Sequence, residues 1–138
     1  MFVLDNCVTM CWVLNDGNDG NRGYAERVLR RLMTGEAVVP SIWGLEVGNV
    51  LAKSEARGLI TEARSQGFLS KLERLSISSD SESQDRAFSD ILNLARRYKL
   101  STYDASYLEL AIRRQIPLAT VDKDLVKAAR LAGVYLEV

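Results

Sequence analysis

The feature that most constrains this chain is a series of very short apolar runs separated by helix-length segments. Phe2-Val3-Leu4, Ala37-Val38-Val39 and Pro117-Leu118-Ala119-Thr120-Val121 each stop at a polar residue or a proline. Between them, apolar residues recur three and four apart, as in Val28, Leu29, Leu32 and Met33 or in Leu125, Ala128, Ala129 and Ala132. Short buried strands alternating with helices predict a parallel sheet covered on both faces, because right-handed crossovers place the helices there. The expected class is α/β in three layers. No internal repeat, low-complexity linker or shift in composition divides the chain, so residues 1–138 are expected to form one domain.

Local signals set the expected boundaries. A helix follows Asp5, with Val8, Cys11 and Trp12 at helical spacing, and the stretch Asn15 to Asn21, rich in Asn, Asp and Gly, reads as a loop. A helix from Tyr24 through Met33 ends at Gly35, and Ser41 is expected to cap a long helix through about Arg57, closed by Gly58. Thr61 opens the next helix, a brief strand is expected at Leu75 to Ile77, and Ser78 to Ser83 reads as a polar connection. Ala87, Ile91, Leu94 and Ala95 mark another helix, and a further one starts around Ser101 to Asp104. Val134 to Leu136 completes five expected strands.

Composition excludes several classes of function. With 47% hydrophobic and 26% charged residues the chain matches ordinary globular proteins and should be folded throughout. The opening residues lack a basic leader and a cleavage pattern, and no apolar run approaches the ~20 residues of a membrane span, so a cytoplasmic protein is expected. There is no histidine, which removes the commonest general base and every imidazole-dependent triad. Cys7 and Cys11 read as buried small side chains rather than as a redox pair or a zinc site. Eighteen basic residues balance eighteen acidic ones, so unspecific polyanion binding through net charge is not expected.

Any chemistry therefore falls to carboxylates. Asp5 and Asp122 each end a strand, where ligands collect in open α/β sheets, although an aspartate there is equally a helix N-cap. Glu46 is the only charge in the stretch Ile42 to Leu51; a buried carboxylate normally needs a partner or a metal, while a solvated helix edge would also explain it. Asp104, near a helix start, reads as a functional acid or as a partner of the helix dipole.

Four segments together carry a resemblance. Val3-Leu4-Asp5, Leu45 to Leu51 around Glu46, Leu100 to Leu108 around Asp104, and Pro117 to Leu125 around Asp122 make the chain similar to PIN domains, and most closely to the VapC ribonuclease toxins of toxin–antitoxin pairs. The resemblance implies a parallel five-stranded sheet of order 3-2-1-4-5. It makes Asp5, Glu46, Asp104 and Asp122 the catalytic and metal-binding set, with Thr120 as a hydroxyl donor, Asn6 in support and Asp124 as a further acid. Oxygen ligands without histidine match Mg²⁺ or Mn²⁺ better than zinc. The implied activity is metal-dependent hydrolysis of RNA by a homodimer restrained by a cognate VapB-like antitoxin. One residue departs from the pattern, because Cys7 stands where these toxins carry Ser or Asn. Two alternatives remain at this stage: a Mg²⁺-dependent receiver or phosphatase phosphorylated on aspartate, and a non-catalytic PIN interaction module.

Overall fold

The structure, a computed structural model describing residues 1–138, forms the parallel sheet expected from the sequence, with altered bounds. β1 (Phe2–Leu4) leads into α1 (Asn6–Cys11) and α2 (Asp19–Met33), and β2 (Ala37–Val39) into α3 (Trp43–Ala56) and α4 (Glu62–Leu72). β3 (Ile77–Ser79) is followed by a 3-10 turn at Gln84–Arg86, a π-helical turn at Ala87–Ile91, α5 (Leu92–Tyr98) and α6 (Thr102–Arg114). β4 (Leu118–Ala119) precedes α7 (Lys123–Leu131). No helix is long and apolar enough to cross a membrane.

The sheet has four strands in the order β3-β2-β1-β4, all parallel, instead of the five in order 3-2-1-4-5 that the resemblance implied. The expected last strand, Val134 to Leu136, is reduced to a single bridge between Leu118 and Tyr135. β4 is only two residues long, so it offers a partner little ladder: Leu118 donates to the Val134 carbonyl at 2.6 Å and accepts from Leu136 at 2.9 Å. Beyond that pair the tail is held by side chains. Tyr24 donates to the Leu136 carbonyl at 2.8 Å, Arg27 to Val138 at 3.0 Å, and Arg130 pairs with Glu137 at 2.6 Å.

Smaller differences have local causes. α2 starts inside the expected loop because the Asn18 side chain accepts the Asn21 N–H at 3.0 Å and caps it. Ser41 does not cap α3; the helix opens through a turn from Pro40 to Trp43, flanked by Ile42 without a side-chain bond. α4 and α6 begin where expected, and the structure shows Thr61 and Ser101 as their caps. β3 lies two residues beyond the expected Leu75 to Ile77 and takes in part of the serine-rich connection, where its exposed Ser78 and Ser79 hide the strand signal.

Strand alternation explains the two main cores. Phe2, Leu4, Ala37, Val39 and Ala119 point to α1 and α2, while Val3, Val38 and Leu118 point to α6 and α7. With both faces buried, every position of β1, β2 and β4 is apolar, which is why these runs do not alternate. A third cluster joins Met10 and Val13 to Val47, Leu51 and Leu72 and seats α3 and α4. At the far sheet edge Arg113 of α6 donates to Asp80 just past β3 (2.8 Å), to Glu82 (2.7 Å) and to Glu109 (2.8 Å). Burial, the largest influence, raises the Asp80 carboxyl, but the Arg113 and Ser83 bonds and the Arg113 charge together hold it below its ordinary value. This ionic knot fixes the exit of β3 to the helix whose other end carries Asp104.

Candidate active site

β1 lies between β2 and β4, so the chain reverses its winding direction at the β1–β4 boundary, the place where open α/β sheets form a crevice beyond their carboxyl ends. Asp5 stands there as the last residue before α1 and is 4% exposed. Its Oδ2 accepts the Thr120 hydroxyl at 2.7 Å and the Cys7 thiol at 2.9 Å, and its Oδ1 takes the Cys7 N–H at 3.5 Å as an N-cap. Burial raises its carboxyl above the ordinary value, outweighing those bonds, and the Asp122 charge adds to the rise.

Thr120, fully buried after β4, has two duties. Its hydroxyl donates to Asp5 and accepts the Asp122 N–H at 3.1 Å, so one side chain ties the ends of two strands together. Asp122 caps α7 through the Leu125 N–H at 2.9 Å, which leaves its other oxygen without a protein partner. The cap and site readings of this aspartate are therefore compatible, one oxygen for each.

Glu46, on the first turn of α3, is half-buried; its Oε1 accepts the Tyr107 hydroxyl at 2.6 Å. Burial raises its carboxyl most, the Tyr107 bond lowers it, and the Asp5 charge raises it. Asp104, the third residue of α6, is pushed up to about 6, first by burial and then by the charges of Asp5, Asp122 and Glu46. The structure thus brings all four acids to one crevice from four different segments, close enough for each of the other three to act on Asp104.

The remaining expected residues divide. Asn6 sits beside Asp5, and its Oδ1 is a buried acceptor with no partner. Asp124 is exposed on the outer side of α7 and lines a separate cleft with Arg97, Lys99 and Lys127. Cys7 corrects the reading of an inert apolar filler: its sulfur donates to Asp5 and accepts the Val121 N–H at 3.4 Å, the work a serine hydroxyl would do there. Burial and the adjacent Asp5 push this thiol's pKa well up, so it stays protonated and donating. Cys11 is half-buried.

Sequence reasoning gave Tyr107 no role. It is fully buried, and burial with the Asp5 and Glu46 charges pushes its hydroxyl pKa up, which keeps it a donor to Glu46. The available signal was its position three residues after Asp104, on the same helix face.

The donor set can be tested against a divalent cation. Hard carboxylate oxygens, an orphaned buried acceptor at Asn6 and an Asp104 raised to about 6, first by burial and then by its neighbours' charges, all fit a group that neutralises acid repulsion. No three of the acids and thiols stand close enough to hold one ion directly among them. The fit is one of donor chemistry and charge, with the carboxylates spread around the crevice.

No curated protein matches the chain. The PIN domain family does, over residues 3–131, a span that contains β1, α7 and all four acids. PIN domains are typically metal-dependent nucleases. Extending across nearly the whole sequence and enclosing the crevice just described, that match makes the chain a member of the PIN domain family.

Proposed function

We propose that the chain is a metal-dependent endoribonuclease that acts in the cytoplasm as the toxin of a VapC-like toxin–antitoxin pair. The observation that carries this reading is the convergence of four carboxylates from separate segments on one crevice, where burial first and then the charges of Asp5, Asp122 and Glu46 raise Asp104. Asp5, Glu46, Asp104 and Asp122 would surround a Mg²⁺ or Mn²⁺ ion that keeps several of its waters, since no three of them stand close enough to ligate it directly. When bound, the ion supplies Lewis-acid polarisation and charge neutralisation at a phosphodiester.

The chain's own residues do the rest. Thr120 and Cys7 fix the Asp5 carboxylate, and Tyr107 fixes Glu46, so the oxygens meet the substrate already oriented. Asp104, raised by burial and by the charges of the other three acids, is the carboxyl whose charge a bound cation would favour most. No observation favours an aspartate phosphorylated by a donor, because Asp5 is buried with one oxygen engaged twice. A non-catalytic module would have no use for the four acids.

The same reading includes a homodimer and a VapB-like antitoxin. Two apolar surfaces are available for them: a groove of about 430 Å³ lined by Trp12, Leu29, Phe68 and Leu72, and the exposed side chains of Leu45, Phe88 and Tyr103. The deciding experiment incubates the protein with single-stranded RNA with and without Mg²⁺, alongside Asp5→Asn. Mg²⁺-dependent cleavage lost in the variant is expected. Intact RNA together with labelling of Asp5 by acetyl phosphate would overturn the reading.

A further inference from the structure

A second charged concavity lies beside the acidic crevice. Arg97, Lys99 and Lys127, with Asp124, line a cleft of about 370 Å³ between the end of α5 and the outer side of α7. Asp124, Lys127 and Leu131 recur at helical spacing and so share one face of α7, opposite the two cations of the α5 end. All three cations are exposed, and none takes part in the chain's ion pairs, which use Arg86, Arg113 and Arg130.

The fold does not account for this grouping. Cations at a helix C-terminus favour the dipole, which explains Arg97 and Lys99 singly, but Lys127 lies within α7 and gains nothing of that kind. Lys99 also ends α5 in the left-handed region, at φ 56°, where glycine would avoid strain. Three exposed cations with a single acid leave the cleft net positive, a charge that an anion entering it would offset.

The cleft is joined to the acidic crevice by short pieces of chain. Lys99 precedes Asp104 by five residues, a span of at most about 19 Å between Cα atoms, and Asp124 follows Asp122 by two, at most about 8 Å. A polyanion threading past the carboxylates would meet the cations next. Half-buried Tyr98 also lines the cleft, and its ring holds the Arg97 guanidinium 5.5 Å from the ring centre at the cleft wall.

We propose that the cleft formed by Arg97, Lys99 and Lys127 is a phosphate-binding subsite that holds the backbone of single-stranded RNA beyond the cleaved bond. It rests on the nuclease reading above and adds the substrate track to it. The subsite engages phosphates without reading sequence, and it offsets the repulsion that the acidic crevice exerts on the same strand.

The test measures binding of a labelled single-stranded oligoribonucleotide by fluorescence anisotropy in EDTA, from 50 to 200 mM salt. The triple variant Arg97→Gln, Lys99→Gln, Lys127→Gln is compared with the wild type and with Arg30→Gln, Arg31→Gln, Arg114→Gln. The latter changes net charge equally at the helix ends that lead into β2 and β4, at the amino ends of the strands and away from the crevice at their carboxyl ends. At about 0.7 released counterions per phosphate on a single strand, the cleft variant should lose about 2 from the salt slope. Wild-type affinity then falls about 20-fold more steeply across that range than the cleft variant's. The distal variant should keep the wild-type slope. Equal losses in both variants, or an unchanged slope in the cleft variant, overturn the subsite even where Mg²⁺-dependent cleavage is intact. A cleft-dependent slope in a wild type that never cleaves RNA upholds the subsite and sinks the nuclease reading instead.

Discussion

Replacing Asp104 by Asn separates a site built for charge from one that merely contains acids. The carboxyl moves from its ordinary 3.8 to about 6 in the folded chain, so the native state resists its ionisation. At 1.36 kcal/mol per pH unit this amounts to about 3 kcal/mol of strain for a buried group, and solvent screening of a half-buried side chain reduces it to about 1–2 kcal/mol. An acid in the first turn of α6 also favours the helix dipole by roughly 0.3–1 kcal/mol, which Asn gives up. The net expectation is a variant more stable by about 1 kcal/mol, or about 3–5 °C in melting temperature. The sign follows from linkage: between 3.8 and 6 the native state binds more protons than the unfolded one, so wild-type stability falls as pH rises through that window. Thermal unfolding in EDTA should show the variant's advantage at pH 8 and its disappearance toward pH 4. With Mg²⁺ the order should reverse, because a ligand at 100 times its Kd adds about 2.7 kcal/mol to the wild type alone. A variant no more stable than wild type across pH 4 to 8 in EDTA refutes the reasoning.

Three further outcomes follow from the same structure. Thr120→Val keeps the side chain's shape but strips a donor from Asp5 and an acceptor from the Asp122 N–H; a cost of about 1–3 kcal/mol in urea unfolding is expected, with activity restored in Thr120→Ser. Tyr107→Phe frees Glu46 to rotate and should lower Mg²⁺-dependent cleavage about 10–100-fold while circular dichroism is unchanged; a fully active variant would show that Glu46 needs no orientation. Arg113→Ala leaves Asp80, 8% exposed, without its cation and Glu109, 3% exposed, with only the longer Arg86 contact at 3.6 Å, and should cost about 3–5 kcal/mol at pH 7. Because Asp80 is held below its ordinary pKa, that difference should persist down to about pH 4 and fade as pH drops further, which denaturation at pH 7 and pH 3 would check.

What the sequence made legible was whatever a local pattern encodes. β1 and β2 were readable because both strand faces are buried and every position is apolar, and the starts of α4 and α6 at Thr61 and Ser101 because the signals that open a helix are contained within four residues. The failures are non-local. Whether Val134 to Leu136 becomes a strand depends on the length of β4, which ends after Ala119 and leaves a single bridge from Leu118 to Tyr135. β3 was misplaced because its outer residues are serines at an exposed edge, where parallel pairing with β2 supplies the order that hydrophobicity does not.

The same division runs through the crevice and tells how it is assembled. Each acid could be found singly, yet each also had an ordinary structural account, and two of those accounts hold: Asp5 caps α1 and Asp122 caps α7. The cap bonds fix each carboxylate and leave capacity on its oxygens, so capping and site formation reinforce one another. The residues that orient the set, Tyr107, Cys7 and Thr120, are neutral donors, and nothing in their spacing announces that their hydrogens will meet carboxylates more than sixty residues away or two residues away with equal effect. Their neutrality has a physical consequence. A lysine or arginine in their place would relieve the pressure on Asp104 permanently, whereas hydroxyl and thiol donors orient the carboxylates and leave the negative charge uncompensated, free to attract a cation.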